Sequence, residues 1–196
     1  MKLLIGTTNR NKLDQFTKIF ERLDANLELF TLNDLGIKDD IEEDYDNLLD
    51  NAKKKARYYG EKSGIVTLAD DTGLFIDALD GEPGVHTKRW HAGTDKDRYT
   101  KILERMKSVP KNKRTGRYMG VLAIYNPSTK VFWTYENKIE GVIAKKPKGA
   151  GGFGYDPIFI TSYYKNYYSE LTDVEKFAIS HRGLGVKKFL IDFHLL

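Results

Sequence analysis

Ile65-Val66-Thr67-Leu68-Ala69-Asp70-Asp71-Thr72-Gly73-Leu74 is the stretch on which the reading of this chain turns. Its first five residues are mostly apolar and predict a short strand through a core. Two carboxylates follow where that strand runs out, then a hydroxyl and a glycine that can turn the chain. Adjacent acids repel each other and lose hydration on burial unless a positive charge stands nearby. A divalent metal is the usual remedy, so the stretch points to a metal-assisted active site at a strand end.

Upstream, residues 2–7 predict a short strand, and Asn9 or Asn11 can cap a helix running to about Leu23, with Leu13, Phe16, Phe20 and Leu23 at helical spacing. Leu27–Leu32 reads as a strand, Ile37–Asp46 as an acidic loop and 47–62 as a helix that Gly64 ends. Downstream, Gly81-Glu82-Pro83-Gly84 is a turn and 96–107 a helix. Arg117–Tyr125 and Val131–Ile139 read as a hairpin, which Ile139–Ala144 extends or follows. Thr172-Asp173-Val174-Glu175 is a capping box opening a helix, and Gly183 and Gly185 interrupt before a final helix through Phe189. This order, β-α-β-α-β followed by a hairpin and helices, predicts an α/β fold with a mixed sheet.

The chain of 196 residues suits one domain, 1–196, and 40% hydrophobic with 12% aromatic content is enough for a real core. No apolar run is long enough to span a membrane, and Met1–Gly6 lacks the long apolar stretch of a signal peptide. The absence of cysteine excludes disulfides, thiolate metal sites and cysteine nucleophiles, and fits a cytoplasmic protein. A net charge of +4 is mild for nucleic-acid binding and tolerates a phosphate-bearing small substrate. There is no G-x-S-x-G elbow, which disfavours nucleophilic acyl transfer.

Four constellations carry possible chemistry. Thr7-Thr8-Asn9-Arg10-Asn11-Lys12 lies between a strand and a helix, where backbone N–H groups and the helix dipole gather anions, although a capped helix with basic surface residues reads the same way. The run Asp39-Asp40-Ile41-Glu42-Glu43-Asp44 is either a solvated loop or the source of an acid that joins Asp70 and Asp71 around Mg²⁺, a hard cation suited to oxygen ligands and phosphates. Lys55, soon after, neutralises those acids, touches phosphate or is a surface lysine. Gly151-Gly152-Phe153-Gly154-Tyr155-Asp156-Pro157 offers close backbone approach, flat faces for a base and an acceptor for ring N–H groups, or simply a turn with core aromatics. Lys176 and Ser180-His181-Arg182-Gly183 lie one to two helical turns apart and can converge on carbonyl or phosphate oxygens, or form a cationic helix C-terminus. His86 and His91 read as surface or packing residues, and Tyr163, Tyr164, Tyr167 and Tyr168 as packing or an interface.

In this order the pieces resemble the inosine triphosphate pyrophosphatase family, the non-canonical purine nucleoside triphosphate pyrophosphatases. The matching motifs are T-x-N-x-x-K at Thr7, Asn9 and Lys12; A-D-D-[ST]-G-L at 69–74; G-x-P-G-V at 81–85; G-G-F-G-Y-D-P at 151–157; and S-H-R-G at 180–183. The resemblance implies an elongated two-lobed α/β fold around a mixed β-sheet with flanking helices and a substrate cleft between the lobes, usually as a homodimer. It implies Mg²⁺-dependent hydrolysis of ITP, dITP and XTP to the monophosphate and pyrophosphate, with no stable nucleic-acid partner. It assigns Glu43 and Asp71 to the metal and Asp71 to proton acceptance, with Asp70 in support. Thr7 to Lys12, Lys55 and Thr72 fall where the family handles the triphosphate, and Arg89 matches an arginine near the phosphates. Phe153, Gly154, Tyr155, Asp156, Lys176, His181 and Arg182 fall at nucleotide and base contacts. Thr8 stands where the family usually has glycine, and its Cβ is expected to crowd the turn. Thr72 replaces the commoner serine and keeps the hydroxyl. The alternatives are a non-catalytic nucleotide- or RNA-binding module, against which the repulsion between phosphate and Glu43, Asp70 and Asp71 argues, and a pyrophosphatase for other modified nucleotides.

Overall fold

The computed structural model describes residues 1–149 and 151–195. Ala150 of the glycine-rich loop therefore lies outside the described residues. The elements in chain order are β1 (Lys2–Ile5), α1 (Arg10–Arg22), β2 (Glu28–Thr31), α2 (Leu48–Ser63), β3 (Thr67–Ile76), β4 (Pro83–Gly84), α3 (Asp95–Arg105), β5 (Thr115–Asn126), β6 (Val131–Ile143), β7 (Phe159–Thr161), α4 (Asp173–Ile179) and α5 (His181–Asp192). Strand neighbours follow the order β2-β1-β3-β5-β6-β7, with β4 attached to β3. β2 and β3 run parallel to β1, while β4 is antiparallel to β3 and β7 to β6. This is the mixed α/β sheet that the element order implied. Among the described residues no helix is long and apolar enough to cross a membrane.

The chain forms two compact units. The first comprises Met1–Asp71, Gly120–Asn137 and His181–Leu196, the second Thr72–Met119 and Lys138–Ser180. In the first, α1 buries Phe16, Ile19 and Phe20, a spacing that keeps one helical face apolar. Burying each such side chain contributes roughly 1.5–3 kcal/mol. Leu4, Leu32, Ile37 and Tyr59 form a further cluster in this unit. The second unit has its own core, in which Leu74, Ile76, Ile102, Met106, Phe159 and Ile179 are buried together.

Helix boundaries follow local chemistry. Asn9 caps α1, its side chain accepting the N–H groups of Asn11 and Lys12. Asn47 caps α2, which stops at Gly64 in the left-handed conformation that glycine adopts without penalty. Thr94 and Thr172 each close a capping box, with Asp97 and Glu175 respectively. The tyrosine cluster divides. Tyr168 is buried beside Tyr118 and Phe159, whereas Tyr163 is 72% exposed.

Three expectations are corrected. The strand bearing the acid pair does not run out at Ala69. β3 continues through Asp70, Asp71, Thr72 and Gly73 to Ile76. Aspartate is a poor strand former, but buried cations from neighbouring elements accommodate it here. Lys176 and His181 do not share a helix, because α4 ends at Ser180, whose extended backbone (φ −73°, ψ 150°) separates it from α5. His181 and Arg182 consequently stand at a helix start, not at a cationic C-terminus. Finally, Gly183 and Gly185 lie inside α5 instead of interrupting before it. At Gly185 a Cβ would come within 3.2 Å of the Leu122 side chain, so close packing explains the glycine better than chain reversal does.

Candidate active site

Successive side chains on a strand point to opposite faces, and this period gives the two acids of β3 different company. Asp70 is fully buried among cations. Its Oδ1 lies 3.2 Å from Lys12 Nζ, and its Oδ2 lies 2.7 Å from Arg182 Nη2 and 3.6 Å from His181 Nε2. Lys12 Nζ also reaches the Asp70 carbonyl oxygen at 3.4 Å. Asp71 faces Lys55 of α2 instead, with Nζ 3.7 Å from Oδ1. Lys55 at the same time donates a short hydrogen bond to Glu43 from the acidic loop. All of these residues belong to the first unit.

The sequence explains how each arrives. Lys12 is the third residue of α1, set by the Asn9 cap, and Thr7 Oγ1 accepts the Asn9 N–H at 3.2 Å. Lys55 lies on the buried side of α2 with Asn51, Ala52, Ala56 and Tyr59. His181 and Arg182 are the first residues of α5, which packs on α1. Gln15, one turn after Lys12, accepts from Arg182 Nη1 at 2.9 Å and so holds the guanidinium by the terminal nitrogen that Asp70 does not bind. Sequence reasoning did not single out Gln15. Its spacing from Lys12 was the available signal, since residues three apart share a helix face.

Electrostatics separates the two acids further. Burial alone would raise the Asp70 carboxyl, but the Arg182 and Lys12 charges, a hydrogen bond from His181 and the Lys55 charge hold it well below the usual carboxylate range. For Asp71 burial prevails. The Lys55 and Lys12 charges only partly offset it, Glu43 and Asp70 add repulsion, and its carboxyl is raised. Burial would also raise Glu43, yet the charge and hydrogen bond of Lys55, with help from Lys12, bring it below its ordinary value. Burial and the neighbouring Arg182 push the His181 imidazole down to about 4, so it is neutral near pH 7 despite facing Asp70. Burial lowers Lys12 against the pull of Asp70, while Lys55, desolvated but flanked by Asp71 and Glu43, is raised.

Among the described residues no group of three or more His, Cys, Asp or Glu is gathered as a metal-holding set. The donor chemistry nevertheless fits a hard cation. The Glu43 and Asp71 carboxylates both approach one ammonium, that of Lys55, and oxygen donors from one or two carboxylates are what Mg²⁺ takes from protein.

The remaining predicted residues are placed as follows. Thr8 has no left-handed backbone, so its Cβ does not strain the turn as expected. Its hydroxyl donates to Asp40 Oδ1 at 2.8 Å and ties the turn to the acidic segment. Arg10 and Asn11 are exposed at the start of α1. In the second unit, Thr72 is half-buried in β3 and Arg89 is exposed, its N–H bonded to the His86 carbonyl. Lys176 is buried, with Nζ 5.5 Å from the centre of the Tyr168 ring. Phe153 is half-buried and Tyr155 is buried, its hydroxyl donating to the Thr87 carbonyl at 2.8 Å. Asp156 faces inward. Its Oδ1 accepts from the Tyr118 hydroxyl at 3.1 Å and its Oδ2 from the Phe153 N–H at 3.1 Å. That carboxylate builds the loop on which Phe153 sits.

Residues 3–191 match the model of the Ham1 family. A dITP/XTP pyrophosphatase of Porphyromonas gingivalis is 40% identical over 197 residues, covering 99% of this chain and 97% of the relative. A dITP/XTP pyrophosphatase of Desulforamulus reducens is 39% identical over 96% of this chain and 93% of its own length. Among solved structures, a HAM1 protein from Coxiella burnetii aligns with a TM-score of 0.86 at 31% identity, covering 99% of this chain and 98% of that one.

Proposed function

Because the chain belongs to the Ham1 family, we propose that its carboxylate–lysine site hydrolyses non-canonical purine nucleoside triphosphates (ITP, dITP and XTP) to the monophosphate and pyrophosphate. The enzyme class and substrate class rest on the dITP/XTP pyrophosphatases to which it is similar over nearly its full length. The observation that carries the chemistry is the different company of the two acids: Asp70 is closed in by Lys12 and Arg182, while Asp71 faces Lys55 beside Glu43. Burial raises the Asp71 carboxyl, and a raised carboxylate is the better proton acceptor.

Glu43 and Asp71 would hold Mg²⁺, which when bound would neutralise phosphate charge and polarise a phosphoryl oxygen. The protein's own groups do the rest. Asp71 takes a proton from the water that attacks the α-phosphorus. The new P–O bond forms as the bond from that phosphorus to the α–β bridging oxygen breaks, and pyrophosphate leaves. Lys12 and Lys55 supply positive charge as the leaving group gains negative charge. Asp70 does not exchange a proton. It pairs with Lys12 and Arg182 and holds them in place.

Phe153, Gly154, Tyr155, Asp156, Lys176, His181 and Arg182 are proposed as nucleotide and base contacts, and Thr7 to Lys12, Thr72 and Arg89 as phosphate contacts, on the strength of the motif match. Neutral His181 can either donate to or accept from a base, according to its tautomer. Selectivity then follows from hydrogen bonding. Adenine carries an N6 amino group where hypoxanthine has an oxygen, and an unmet buried partner costs about 1–3 kcal/mol, roughly ten- to a hundredfold per contact. A homodimer in the cytoplasm completes the proposal, and sedimentation of the purified protein tests the dimer. Activity is tested by pyrophosphate release with Mg²⁺ from ITP, XTP, ATP and GTP. Rapid release from ITP and XTP supports the proposal, and equal rates on all four contradict the specificity.

A further inference from the structure

The glycine–aromatic loop is anchored to α3 by a residue that no motif contains. Gly154 donates its backbone N–H to Asp95 Oδ2 at 2.7 Å, across 59 positions of sequence. Arg98, one turn on, donates to the other oxygen of Asp95 through Nη2 and binds the Gly93 carbonyl at 2.8 Å through Nη1. Asp95 is therefore itself held on two sides. The preceding amide of the loop is fixed by a second carboxylate, since Asp156 Oδ2 accepts the Phe153 N–H at 3.1 Å. The two amides flanking the Phe153 α-carbon are thus tied to two different acids. Between them the chain can hold one orientation, which the left-handed glycines on either side permit, Gly152 at φ +82° and Gly154 at φ +63°. Asp156 in turn is fixed by Tyr118. Every group in this arrangement belongs to the second unit.

We propose that Asp95 is a positioning residue for Phe153, setting how its ring meets the nucleotide base. This rests on the assignment of Phe153 to the base made above. Asp95 itself touches no substrate. Its contribution is to pre-order a loop that substrate would otherwise have to order on binding. Loss of this charge-assisted hydrogen bond is expected to weaken substrate capture about tenfold, with little change in the chemical step.

Asp95→Ala is expected to raise KM for ITP about tenfold while kcat stays within about twofold. Asp95→Asn keeps one neutral carbonyl oxygen where Gly154 and Arg98 used two carboxylate oxygens, so it should restore KM only in part, although both variants lose the same charge from the start of α3. In a Phe153→Ala background, Asp95→Ala should add almost nothing to KM. Hydrogen exchange at the Gly154 amide, measured without any substrate, should quicken in Asp95→Ala and less in Asp95→Asn. Unchanged exchange at Gly154 would overturn the anchor. An unchanged KM, no rescue by asparagine, or an effect undiminished in the Phe153→Ala background would overturn the positioning role. If the parent protein failed to hydrolyse ITP, the proposed function would fall, while the exchange measurement would still decide the anchor.

Discussion

At the scale of the residue, one peptide bond separates two carboxylates with opposite behaviour. Asp70 is the counter-charge for Lys12 and Arg182. Asp70→Asn leaves those cations buried without it and is expected to destabilise the protein by about 3–5 kcal/mol, read from denaturant midpoints. Asp71→Asn removes a charge that burial disfavours. It should abolish turnover, by a factor of roughly 10²–10⁴ if proton transfer alone is lost, while the melting temperature in chelator holds or rises. His181 gives a pH dependence. Its folded pKa, about 4, lies below the ordinary 6.5, so between these values the unfolded chain takes up a proton that the folded one refuses. The His181 contribution is therefore full above pH 6.5 and lost as pH falls toward 4, with a limiting slope of about 1.4 kcal/mol per pH unit. Asp70, whose pKa is depressed, loses its contribution only as pH falls below the ordinary carboxylate value of 3.8. Urea midpoints between pH 7 and pH 4 should flatten in His181→Phe if the protein stays folded. An unchanged slope would mean that His181 is not the group responsible.

At the scale of the element, the sequence was legible wherever local chemistry decides. The Asn9 and Thr172 caps and the Gly64 stop were visible as side chains and conformations that helix ends require, whereas the Thr94 cap was not read from the sequence. Thr172→Ala should lower stability by about 1 kcal/mol, since it removes the hydroxyl that accepts the Glu175 N–H and leaves only the backbone half of the capping box. What was not legible depended on contacts from afar. An acid pair reads as the end of a strand, and β3 continues only because Lys12, Lys55 and Arg182 come from three other elements to meet it. Gly183 and Gly185 read as breaks, yet both lie within α5, and at Gly185 the tight approach of Leu122 favours a residue without a Cβ. Thr8 read as an obstruction, but its hydroxyl finds Asp40. Thr8→Val should therefore loosen the acidic segment that carries Glu43. Amide exchange from 38 to 44 is expected to quicken while global stability changes by less than about 1 kcal/mol.

At the scale of the whole molecule, the mixed α/β class and the order of elements followed from hydrophobic periodicity, whereas two lobes were implied only by the family resemblance and the place of the boundary by nothing in the sequence. The boundary between Asp71 and Thr72 falls inside a strand, where neither composition nor a linker marks it. The motifs named Lys12, Asp70, His181 and Arg182, which meet in the first unit, while Gln15, which holds Arg182, and Asp95, which holds Gly154, sit in no motif. The proposed role of Asp71, accepting the proton of the attacking water in a purine triphosphate pyrophosphatase, is read out by pyrophosphate release from ITP and ATP with Mg²⁺, for the parent protein, Asp71→Asn and a mock preparation. Fast release from ITP, slow release from ATP and none above background in a folded Asp71→Asn is the expected result. Parent-like turnover by Asp71→Asn, or no pyrophosphate from the parent, would contradict it.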